Sequence, residues 1–285
     1  MNRIAYPNIK CADVFSTCLL SVSNNNQDYI NRLQNIANTV SREWVLFDAR
    51  CAPKNFHLLT PCSARRPEQI IAENVTKKDL KDLYTLHMLK TDSASRKVYD
   101  KLRACSKGLC PLCGIHGVDS LDHYLPKARY PLLSVNPKNL IPACMHCNGS
   151  KSESICEVAS DQTLYPYNDD QKFYQTDWIS ASITANYGIL TFDFHADPPQ
   201  GWMKVERDRV TNHFIKFELR QKYVLNAAQF VSTITSDIRR LLLNGNHLTV
   251  QDHYADLARK QKNNSTLRVV YNAIAKDANI CGGRF

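Results

Sequence analysis

Three observations predict a mainly helical α+β fold. Apolar residues recur at spacings of three and four along both flanks of the chain, two Cys-x2-Cys pairs bracket its centre, and one later segment alternates around Asn186-Tyr187-Gly188. The first pattern gives amphipathic helices and the third a β-hairpin. The second gives a small module closed by zinc, because four soft thiolates complete a tetrahedral site.

The elements follow in order. Residues 1–104 read as a helical region. Ile30, Leu33, Ile36, Ala37, Val40 and Trp44 form one apolar stripe from Asp28 to Trp44. A stretch with Pro53, Pro61 and Pro67 interrupts it. Thr76-Lys77-Lys78-Asp79 has capping-box spacing and opens a second helix, with Leu80, Leu83, Leu86, His87 and Leu89 as its apolar face. Ser93–Ala104 gives a third, with Val98, Tyr99 and Leu102 inward. Residues 105–157 form the zinc segment. Residues 158–285 begin with the turn-rich Tyr165-Pro166-Tyr167-Asn168-Asp169-Asp170, continue into a hairpin over Trp178–Phe194, and return to helices over Val205–Ile238, Leu248–Ala258 and Thr266–Ala278. The end, Cys281–Phe285, reads as frayed.

Composition limits the function classes. Of 285 residues, 44% are apolar and 22% charged, which excludes a disordered chain. No apolar run approaches the roughly 20 residues of a membrane span. Met1-Asn2-Arg3-Ile4-Ala5-Tyr6-Pro7 lacks the apolar core of a secretory signal, so a cytoplasmic protein with no membrane partner is expected. Eleven cysteines, an odd number, agree with a reducing compartment. The net charge is +9, spread as +4, +3 and +2 over residues 1–100, 101–160 and 161–285. A basic balance suits a polyanion, but no segment is a basic tail, so any nucleic-acid footprint has to be assembled by folding.

Cys110, Cys113, Cys144 and Cys147 supply the zinc pairs, with 30 residues between them. Four thiolates leave no open coordination position, so this Zn2+ is expected to be structural. The other seven cysteines have no ligand spacing and read as small buried hydrophobes.

Between the pairs lie Leu121-Asp122-His123-Tyr124-Leu125-Pro126-Lys127 and Asn136-Pro137-Lys138-Asn139-Leu140-Ile141-Pro142-Ala143, and Asn148 follows the last cysteine directly. This arrangement, D-H-x-x-P, then N-L, then C-x2-C-N-x2-K, resembles the HNH endonucleases of the ββα-metal group over about 50 residues. The resemblance implies two strands and a helix around one divalent cation, with a zinc tying the ends in four-cysteine members. Asp122 and Asn148 offer hard oxygen ligands suited to Mg2+ or Mn2+. His123, which titrates near neutrality, is the expected general base. Strand alternation sends its side chain to the face opposite Asp122; alternatively, local twist lets both flank one site, as the family implies. Asn139 is expected to hold the His123 loop. Lys151, Lys127 and Arg129 are candidate phosphate contacts. A lone Asp-His pair reads as a surface turn and an asparagine after a knuckle as a helix cap; the four together, bracketed by cysteines, favour the nuclease.

A narrower resemblance extends over most of residues 95–240. Asp-His-Tyr-Leu-Pro-Lys, then Tyr130-Pro131, then Asn139-Leu140-Ile141-Pro142 is similar to the HNH subunit of Septu-type anti-phage systems, related subunits of which accompany retrons. It implies an ABC/SMC-like ATPase partner and, in some systems, a retron reverse transcriptase with its DNA. The expected substrate is DNA, with a structured RNA such as tRNA as the alternative, since the module grips backbone and not sequence. The rival expectation is a catalytically silent zinc-dependent nucleic-acid-binding or scaffold subunit.

Overall fold

The computed structural model describes residues 1–52, 54–150 and 153–285. Contacts divide them into two compact units. One comprises Arg3–Leu112 and His116–Asp169; the other comprises Met1–Asn2, Cys113–Ile115 and Asp170–Phe285. The fold is mainly helical α+β, with three two-stranded sheets among the described residues.

In the first unit, α1 (Cys11–Leu19) precedes α2 (Gln27–Asn35) and α3 (Ala37–Cys51). The stripe read as one helix is broken at Ile36, where ψ moves to 6°. Its apolar positions stay in phase across the break, so Leu33, Ile36, Val40 and Trp44 are all buried. Phe47 of α3 stacks on Phe56 at 4.9 Å, and Phe56 meets Tyr124 at 5.0 Å and Tyr165 at 5.3 Å. The Trp44 indole donates to the Leu132 carbonyl at 2.9 Å, tying α3 to the loop that enters Ser134.

A short antiparallel pair, β1 (Ile70–Ala72) and β2 (Val75–Thr76), leads into α4 (Lys77–Asp82). The expected capping box is present: Asp79 N donates to Thr76 Oγ1 at 3.1 Å, and Thr76 N donates to Asp79 Oδ2 at 2.9 Å. The helix then widens into a π-helical turn over Leu83–Met88. The extra residue per turn rotates the apolar face. Leu80, Leu83, Tyr84 and Met88 are buried, whereas Leu86, expected inside, is 58% exposed. Ser93 caps α5 (Ala94–Ala104), which buries Tyr99 and Leu102.

The centre of the chain folds as β3 (Ser120–His123), β4 (Leu140–Ala143) and α6 (Met145–Ser150). The strands are antiparallel, pairing Ser120 with Ala143, Leu121 with Pro142, Asp122 with Ile141 and His123 with Leu140. Asp119 starts α6 by accepting the Met145 amide at 3.0 Å.

The second unit holds α7 (Lys172–Gln175), the predicted hairpin of β5 (Ile179–Asn186) and β6 (Ile189–Ala196), and six further helices. Tyr187 and Gly188 turn the hairpin with φ of 52° and 80°, the two positive values a two-residue loop needs. Leu190, Phe192 and Phe194 line its buried face. The long helix expected after Val205 is three: α8 (Lys204–Lys216), α9 (Leu219–Ala228) and α10 (Val231–Leu243). Glu218 breaks the first junction with φ of 50°. Next come α11 (His247–Arg259), α12 (Thr266–Lys276) and α13 (Ala278–Cys281). Cys281 is buried and its amide donates to Asp277 O at 2.9 Å, so the chain end is more ordered than its glycines suggest. No helix among the described residues is long and apolar enough to cross a membrane.

Candidate functional site

Cys110, Cys113, Cys144 and Cys147 come together as one buried cluster, with all four sulfurs within 4.8 Å of one another. Four thiolates around one zinc at about 2.3 Å stand about 3.8 Å apart, so the cluster fits a tetrahedral metal ion. Local bonds shape both knuckles. Cys110 N donates to His116 O at 2.9 Å, and Asn148 N donates to Cys144 O at 2.9 Å. The cluster therefore clamps the segment before β3 to the start of α6, and the strand pair lies between its two halves. The rings of His116 and His146, one from each knuckle, lie 4.9 Å apart.

Strand alternation orders the remaining candidates. Ser120 and Asp122 share one face of β3, and Leu121 and His123 share the other. Asn148 joins the first face, because its Nδ2 donates to Ser120 Oγ at 2.9 Å. That bond leaves Oδ1 as the atom of Asn148 with metal-ligand capacity. Asp122 and Asn148 are thus delivered by two elements to one side of the sheet.

His123 lies on the other face. Its Nε2 is 2.8 Å from the Ser134 carbonyl. A carbonyl only accepts, so Nε2 carries the proton in the neutral ring and Nδ1 carries the basic lone pair. The Tyr84 ring meets the imidazole edge-on, centroids 4.5 Å apart. The Tyr84 hydroxyl donates to Leu121 O at 3.4 Å. Burial raises the Tyr84 phenol far above its ordinary value, with the charges of Tyr99 and Asp122 adding to the rise.

Asn139 is fully buried and fastens the backbone after His123. Its Oδ1 accepts the Leu125 amide at 2.7 Å, its Nδ2 donates to Leu125 O at 2.9 Å and to Leu133 O at 3.3 Å, and its own carbonyl accepts the Tyr124 amide at 2.7 Å. One side chain therefore fixes both the exit of β3 and the loop entering Ser134.

Lys127 reaches the π-helical turn: its Nζ donates to Thr85 Oγ1 at 3.1 Å and lies 4.5 Å from the Tyr84 ring centre. Arg129, two residues on, accepts the Cys62 amide at its carbonyl at 2.8 Å. Lys151 falls outside the described residues. The chemistry available is a pair of oxygen donors on one face of β3, an oriented imidazole at the last position of the strand, and a half-buried ammonium on the adjoining loop.

No protein-family model matches this chain. Protein ea31 of Escherichia phage lambda is 30% identical to it over 171 residues, 59% of this chain and 57% of ea31. Septu protein PtuB of Bacillus thuringiensis is 55% identical over 31 residues, 11% of this chain and 12% of PtuB. The chain thus spans little more than half of one relative and about an eighth of the other. No solved structure matches it.

Sequence reasoning missed Tyr84, Ser120 and the Ser134 carbonyl. A signal for Tyr84 existed: Leu80, Tyr84 and Met88 are four apart, and all three are buried. Nothing marked Ser134, because its contribution to His123 is backbone.

Proposed function

We propose that this chain is a divalent-metal-dependent endonuclease of the HNH type, hydrolysing phosphodiester bonds of nucleic acid. The observation that carries the reading is the His123 imidazole, held at Nε2 by the Ser134 carbonyl, on the strand that also bears Asp122. In this reading the twist at the end of β3, where His123 is the last strand residue, lets His123 and Asp122 flank one phosphate; Nδ1 of His123 takes a proton from water as its oxygen attacks phosphorus, and the bond from phosphorus to the leaving oxygen breaks. Asp122 and Oδ1 of Asn148 would hold Mg2+ or Mn2+, which when bound would offset charge on the phosphate and leaving oxygen. Asn139 keeps the His123 loop in place. The four cysteines hold Zn2+ as a structural staple.

The short identity to a Septu protein supports a role in anti-phage defence. The resemblance to Septu-type subunits brings an ATPase partner into the same proposal. DNA is the favoured substrate; a structured RNA is the second, because a module that grips backbone and not sequence can take either. Supercoiled plasmid incubated with the purified chain and Mn2+ or Mg2+ tests the activity. Metal-dependent nicking is expected. Intact plasmid under every divalent cation, with and without the ATPase, contradicts it.

A further inference from the structure

Tyr84 touches both His123 and Lys127, although it lies far from either in sequence. The π-helical turn makes this possible, because the widened turn lets consecutive residues serve one neighbour: Tyr84 gives Lys127 its ring and Thr85 gives it a hydroxyl. Thr85 Oγ1 donates to Lys81 O at 3.0 Å, so its lone pairs are left to accept from Lys127. Lys127 follows His123 by four residues, just past the Leu125 backbone that Asn139 clamps on both sides.

The ammonium is thus carried by the same braced loop as the imidazole. No carboxylate among the described residues forms an ion pair with it. Burial lowers its pKa, the neighbouring Lys81 lowers it further, and Asp82 offsets only part of this. A partly desolvated cation held by a hydroxyl and a π face gains most from an incoming anion.

We propose that Lys127 and Thr85 form a site for a backbone phosphate of the nucleic acid, and that Tyr84 is a positioning residue holding this site and the His123 ring in fixed relation. The proposal rests on the endonuclease reading for its kinetic consequences, but not for phosphate binding itself. A phosphate on Lys127 sets the register of the strand, so the bond presented to His123 is chosen by backbone geometry and not by base identity.

The test uses the full chain and a short DNA duplex. Cleavage is measured in Mn2+, and affinity in Ca2+ across a salt series. Lys127→Met is expected to raise KM about tenfold with kcat within about threefold of wild type, and to reduce the slope of log K against log salt by about one. Tyr84→Leu is expected to lower kcat at least tenfold and to raise KM. Tyr84→Phe keeps the ring and is expected to restore both to within about threefold, which assigns the role to the ring and not to the hydroxyl.

An unchanged salt slope in Lys127→Met overturns the phosphate site, as does a wild-type chain that fails to bind the duplex. Wild-type kcat in Tyr84→Leu overturns the positioning role. If wild type binds but does not cleave, the endonuclease reading fails while the Lys127→Met slope still decides the phosphate site. If Tyr84→Leu does not fold, Tyr84→Phe decides the positioning role: a kcat tenfold below wild type contradicts it.

Discussion

Nε2 of His123 lies 2.8 Å from the carbonyl oxygen of Ser134, eleven residues further along the chain. The bond fixes a tautomer and an orientation with backbone, which no side-chain substitution at Ser134 removes. The loop supplying the carbonyl is held from several sides. Trp44 donates to Leu132, Asn139 donates to Leu133, and the Ser134 hydroxyl donates to Leu80 O at 2.6 Å. The position of the imidazole is therefore a property of the whole first unit.

Asn139 braces both this loop and the backbone that leaves β3. Asn139→Ala removes three side-chain bonds and strands the buried Leu125 amide and the Leu125 and Leu133 carbonyls. A loss of about 2–4 kcal/mol is expected, given about 1–3 kcal/mol per buried unsatisfied group with partial relaxation. Urea unfolding measures it; an unchanged midpoint contradicts the bracing role.

Asn148 is aimed by Ser120. Ser120→Ala frees Nδ2, so the amide is expected to lose its preferred orientation and Mn2+ activation to require several-fold more metal at similar maximal rate. Asn148→Ala and Asp122→Ala are expected to shift the same titration further, with partial rescue by added metal. Metal titrations of all three that overlay on wild type remove both residues from the metal site.

The cysteine cluster is predicted to hold zinc in folded protein. Cys144→Ser is expected to lower bound zinc and the melting temperature together, because the free energy of metal binding is folding free energy. Metal analysis and thermal unfolding on one sample check this. Full loss of zinc at unchanged melting temperature contradicts it.

Acid sensitivity is expected at Asp79. Burial pushes its carboxyl up, but hydrogen bonds from Arg32 and Thr76 outweigh this, so its pKa is lowered. A depressed carboxyl contributes stability that is complete above the ordinary aspartate value, about 3.9, and is lost as pH falls through the folded value. Asp79→Ala should cost about 1–2 kcal/mol at neutral pH through loss of the cap. The gap to wild type should narrow below pH 4. A gap that stays constant down to pH 2 refutes this.

Much of the fold was legible because its signals are local. Thr76 and Asp79 are three apart and form the capping box; Asn186-Tyr187-Gly188 forms the tight hairpin turn; the cysteine spacing gives the cluster. Breaks that keep helical phase were not legible. Ile36 interrupts a stripe without shifting its apolar face, so periodicity does not register it. The break at Glu218 did leave a trace: Phe217 and Leu219 are both buried at a spacing of two, which would put them on opposite sides of one continuous helix. At the site, sequence supplies which residues can do chemistry, but not their supports. Tyr84 comes from a π-helical turn some forty residues upstream, and Ser134 acts through a backbone carbonyl that any residue type carries.

The central claim is that His123 is the base. It is tested most directly by single-turnover cleavage with His123→Ala at saturating Mn2+, together with duplex affinity in Ca2+ and zinc content. The account predicts a rate lower by about 10²–10⁴, the range for loss of a general base, with affinity and zinc unchanged. Wild-type cleavage by His123→Ala, with zinc and affinity intact, contradicts it.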